Sequence, residues 1–122
     1  MMKQTLGYSV LALAVSASPA FAEQRNCLFE RHTSPEGTFA INLPITVHTR
    51  KSRATVAVHP TRRDYAAKVS LRANGSAEYA FNTEVSREVI TVSLQGEALW
   101  QVTFTDGRTF MHFVGKCAPA RG

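Results

Sequence analysis

The feature that most constrains this chain is a period-two alternation of apolar and polar residues, recurring from Cys27 to Val114 and cut at short intervals by Gly-, Asn- and Asp-containing turns. Such alternation lines up one set of side chains on one face of a β-strand, whereas a helix needs a 3.6-residue period. The clearest stretch is Ala98-Leu99-Trp100-Gln101-Val102-Thr103-Phe104, followed by Asp106-Gly107. Asp-Gly suits a two-residue type I′ hairpin loop. That loop sets Thr105 opposite Arg108, Val102 opposite Met111 and Trp100 opposite Phe113, so that large apolar side chains meet on one face.

Three further hairpins follow from the same test. Gln95-Gly96-Glu97 as a three-residue loop opposes Leu94 to Ala98, Val92 to Trp100 and Ile90 to Val102. Asn74-Gly75-Ser76 as a loop opposes Leu71 to Tyr79, Val69 to Phe81 and Arg72 to Glu78. A turn around Ser52-Arg53 opposes Val47 to Val58 and Thr49 to Val56. Adding Cys27 to Thr33, the Ser34-Pro35-Glu36-Gly37 turn and Thr38 to Leu43 gives about eight short strands and no amphipathic helix. The expected fold is all-β: a small antiparallel sandwich or barrel, mainly hairpin-connected.

The compartment is legible at the amino terminus. Lys3 precedes an apolar run from Leu6 to Ala17, Ser18-Pro19 breaks it, and Ala20-Phe21-Ala22 has the small-x-small pattern of a secretory cleavage site. The run is shorter than the ~20 apolar residues of a membrane-spanning helix. Residues 1–22 are therefore expected to be a cleavable bacterial signal peptide and 23–122 a single domain, periplasmic or secreted and not membrane-spanning after cleavage. Losing Lys3 leaves 13 basic against 9 acidic side chains, a net charge of +4. Cys27 and Cys117 are the only cysteines, one near each end of that domain. In an oxidising compartment they are expected to pair as a disulfide joining the first strand to the last.

The inventory for catalysis is thin. With both cysteines paired no thiol remains, no serine sits in a nucleophile-elbow sequence, no phosphate-cradling glycine loop occurs, and the acidic residues are scattered singly. No catalytic residue and no cofactor is expected. For metal, His48 and His59 are the weak candidates, because the expected register makes them diagonal neighbours on one face, roughly 7–8 Å apart. The aromatic set Trp100, Phe104, Phe113, Tyr79 and Phe81 has the form of a stacking platform, but these are also the large residues at inward positions and read as core.

Two surface features point to binding. Arg50, Lys51 and Arg53, with Arg62 and Arg63, form basic clusters at opposite ends of the strand Ala54 to His59, on the order of 20 Å apart. They suggest an anionic polymer or acidic protein face in the envelope; nucleic acid is not the target expected in that compartment. Leu99, Phe110, His112 and Val114 put apolar and aromatic side chains on the face opposite Trp100. That face is either covered by a second layer or left as a partner-binding patch.

The segment Asp106-Gly107-Arg108-Thr109-Phe110, with Phe113-Val114-Gly115-Lys116 after it, resembles the Ser-Gly-x-x-Tyr motif and downstream aromatic-Lys-Gly stretch of periplasmic inhibitors of c-type lysozyme, which are small disulfide-containing β-barrels. About a dozen residues carry the resemblance. Asp106 stands for the Ser, Phe110 for the Tyr, and Gly115-Lys116 reverses the order; a domain of net charge +4 would also be repelled by a basic lysozyme. The leading expectation is a non-catalytic exported β-domain that binds a protein partner or an anionic envelope component. An inhibitor of a lytic enzyme is the alternative, and a small enzyme or metal carrier comes third.

Overall fold

In a computed structural model, described over residues 22–122, eight antiparallel strands close into a barrel. They are β1 (Ala22–Ser34), β2 (Gly37–Arg50), β3 (Arg53–Val58), β4 (Arg63–Leu71), β5 (Ala77–Asn82), β6 (Ser86–Val92), β7 (Glu97–Phe104) and β8 (Phe110–Cys117). Each strand pairs with its chain neighbours, and β8 returns to β1. The expected all-β, hairpin-connected architecture is thus realised as a barrel rather than a sandwich. Closure leaves no free sheet edge, which removes a template for aggregation. The leader assigned to residues 1–22 lies outside the described residues, except for Ala22.

Cys27 sits directly opposite Cys117 in the β1/β8 seam, and the two form a buried disulfide. On the same inner face, Phe29, Ile45, Val47, Val56, Ile90 and Val92 are almost fully buried. A row of rings crosses the interior: Tyr65 stacks on Phe81 at 4.9 Å, Phe81 lies 6.3 Å from Trp100, Trp100 5.1 Å from Phe113, and Phe113 stacks on His32 at 4.9 Å. Tyr79, Phe81 and Trp100 are core, as expected, while Phe104 and Phe113 are partly buried against it. Glu30 is an extra residue of β1 against β8, and between Phe29 and Arg31 the pairing with β2 also shifts, there with the extra residue on β2. The inward set therefore passes from Cys27 and Phe29 to His32 and Ser34.

Register departs from the sequence expectation in a consistent way. Val102 opposite Met111 and Trp100 opposite Phe113 hold. The loop between them, however, is not type I′: Asp106 is not among the positive-φ residues that such a turn needs. Instead Phe104 N–H donates to Thr109 O, and Thr105 N–H leaves the hairpin to donate to Val85 O. The other three hairpins are each displaced by two residues. Val92 lies opposite Ala98 and Ile90 opposite Trp100; Leu71 lies opposite Ala77 and Val69 opposite Tyr79; Ile45 lies opposite Val58 and Val47 opposite Val56. In the first two, Gly96 (φ +92°) and Gly75 (φ +88°) take the last place of a three-residue loop, not the middle. That place requires the left-handed conformation in which a type I turn ends. In the third, Lys51 adopts φ +59° in a two-residue Lys51-Ser52 turn.

Candidate functional site

Strand alternation divides the loops between the barrel's two ends. The β2–β3, β4–β5 and β6–β7 turns gather at one end with the start of β1 and the end of β8, and the β1–β2, β3–β4, β5–β6 and β7–β8 loops surround the other. The two basic clusters are separated accordingly: Arg50, Lys51 and Arg53 belong to the terminal end, Arg62 and Arg63 to the loop end. No single anion-binding track joins them. Arg62 is held at φ +55° in the β3–β4 loop, where its N–H donates to His59 O.

No metal site was expected, and the two weak candidates for one, His48 and His59, are not brought together. The two-residue shift sets His48 opposite Thr55 and leaves His59 beside Pro44, beyond the end of β3. The imidazole of His59 instead shares a 2.7 Å hydrogen bond with Thr46, whose hydroxyl also donates to Asn26. Among the described residues no three His, Cys, Asp or Glu side chains converge.

The outer strip is assembled as expected. Leu99 and Val114 are directly opposite on β7 and β8, and the rings of Phe110 and His112 lie 5.3 Å apart on the same outer face. Val114 is 36 % and Phe110 40 % exposed, with Leu99 and His112 half-buried. The barrel is a single sheet, so no second layer among the described residues covers them.

The loop end also opens into the barrel, and this is the feature the sequence reading missed. The opening is a cavity of about 980 Å³ walled by Tyr65, Trp100, Phe104, Met111 and Phe113. Into it projects Glu88, two places before Ile90 on the inward face of β6 and half-buried. Trp100 Nε1–H donates to Glu88 Oε1 at 2.8 Å, and Ser86 Oγ–H donates to Oε2 at 2.7 Å. Ser86 is buried and in turn lies 2.6 Å from the Thr83 hydroxyl, so the carboxylate is held at the end of a polar chain. The signal available in the sequence was a Glu in register with inward Ile90 and Val92; alternation alone gives it no partner.

Beside the mouth, Asp106 braces the β7–β8 loop. It accepts from the amides of Arg108 and Thr109 at 2.8 Å and from the Thr109 hydroxyl. The Thr109 hydroxyl and these amides hold its carboxyl below the usual carboxylate range.

No protein-family model matches the chain, and no curated protein matches it.

Proposed function

We infer that the chain is a non-catalytic binding module exported to the bacterial periplasm or beyond, and that its partner is a protein. The observation that carries this reading is the uncovered strip Leu99, Phe110, His112 and Val114. Apolar side chains project there from two paired strands of a barrel that, among the described residues, has no further layer to bury them. On neighbouring β1, Leu28 is 39 % exposed and lies opposite Lys116, the next outward residue of β8 after Val114. A polyanion is the weaker choice of partner, since the basic residues divide between opposite ends.

The test is retention of protein from periplasmic extract on the immobilised, oxidised domain across a salt series. Leu99→Asp with Val114→Asp is compared there with Arg62→Glu with Arg63→Glu. One protein retained at high salt, lost in the Asp pair and kept in the Glu pair, is the expected result. Recovery that is salt-labile and lost only in the Glu pair would replace the protein partner with an anionic one.

A second reading, an inhibitor of a lytic enzyme, draws on the disulfide-closed barrel and on the braced loop from Asp106 to Thr109 standing at one rim. It requires a stoichiometric complex with such an enzyme, disrupted by substitutions in that loop rather than on the outer strip.

A further inference from the structure

We propose that the open mouth of the barrel binds a small organic cation, an ammonium carried on an apolar body, between its aromatic wall and the Glu88 carboxylate. This site is inside the barrel, and it stands whether or not the outer strip engages a protein.

The cavity's size is suited to a small molecule. Its wall presents indole, phenol and phenyl groups, whose π faces attract cations as well as covering apolar surface. Among the described residues the one ion pair is Arg72 with Glu78, so no lysine, arginine or histidine nitrogen is within ion-pair distance of Glu88. A half-buried carboxylate without a counter-charge costs free energy. Its two hydrogen bonds do not require that charge, because the side-chain amide of a glutamine could accept from Trp100 and stay bonded to Ser86. Each carboxylate oxygen also keeps a lone pair free for a further donor.

The charge of the mouth agrees. Its charged lining is Arg63, Glu84 and Glu88, net negative in a chain whose formal charge is +5. A cation is therefore drawn to this mouth of an otherwise basic molecule, with Arg63 moderating its affinity.

Trp100 is the only tryptophan, so its emission reports directly on the mouth. The oxidised protein is titrated with hexyltrimethylammonium, with hexanol and with hexyl sulfate, probes of equal chain length and different charge. The expected result is a saturable emission change with the cation at lower concentration than with either other probe. Glu88→Gln should weaken cation binding about tenfold while altering hexanol binding less than twofold. Arg63→Gln, which leaves the core untouched, should strengthen it and carries the test alone if Glu88→Gln does not fold. The proposal is overturned if the cation gives no saturable change, if hexyl sulfate binds as well or better, or if the cation's affinity is unmoved by both substitutions.

Discussion

Reduction of the Cys27–Cys117 bond removes the one covalent link across the seam where the first and last strands meet, and it does so without changing any side-chain volume. The bond joins positions 90 residues apart. On the chain-entropy model, releasing a loop of that length returns roughly 15 cal/mol/K to the denatured chain, or about 4–5 kcal/mol at 25 °C. A domain of this size has a total stability of roughly 5–15 kcal/mol. The β1/β8 backbone pairing from His112↔Thr33 to Cys117↔Cys27 remains in place, so the reduced barrel should stay folded in water but with much of its margin gone. With a urea slope of about 1–1.5 kcal/mol/M, the midpoint should fall by about 3–5 M. The slope itself should rise, because an unlinked denatured chain exposes more surface. The assay is urea unfolding of oxidised and phosphine-reduced protein, followed by Trp100 emission. A midpoint change below about 1 M with an unchanged slope would refute the reasoning, since it would mean that the link does not restrict the denatured ensemble.

Two further outcomes follow from local geometry. At Gly96 (φ +92°) an added Cβ would lie 2.6 Å from the Cys117 carbonyl oxygen, which is backbone, whereas at Gly75 (φ +88°) it would first meet the flexible Leu94 side chain at 3.1 Å. Gly96→Ala should therefore cost about 2–3 kcal/mol and Gly75→Ala about 1 kcal/mol in urea unfolding; equal losses would contradict the contact argument. For Asp106, a folded-state pKa below the ordinary 3.8 means that its loop bonds contribute fully above the unfolded value and are lost as pH falls through the folded one. A carboxyl titration by NMR should give a midpoint below 3.8, and Thr109→Val should move it upward; an unchanged midpoint in that variant would show that the hydroxyl is not the principal cause.

Faces of strands were legible in the sequence, and three of the four hairpin registers were not, for a single physical reason. Side chains alternate with period two, so a pairing displaced by two residues keeps every inward residue inward. Trp100 faces the same interior whether Val92 or Ile90 lies opposite it, and the hydrophobic pattern cannot distinguish the two. The discriminating information lay in the turns. Gly75 and Gly96 mark the left-handed end of a three-residue loop, and placing each at the centre moved two hairpins together. At Lys51 no glycine marks the left-handed position, and nothing local announces it. Only the β7–β8 pairing survived a wrong turn type, because a four-residue loop and a two-residue loop centred on Asp106-Gly107 share one register.

The same degeneracy decided which binding features could be seen. Leu99, Phe110, His112 and Val114 lie on strands whose register was right, and they assemble as expected. His48 and His59 depended on a register that was displaced, and their proximity disappears with it. Glu88 is different in kind, because parity places it inside correctly while the interior of a sandwich has no room for an uncompensated carboxylate. Its role becomes intelligible only once the sheet closes. The shared open end of a barrel lets an inward side chain be both partly buried and reachable, and Trp100 and Ser86 then fix its direction. Closure is non-local, set by β8 meeting β1 across nearly the whole described chain, and so the mouth and its charge could not be read from any single hairpin.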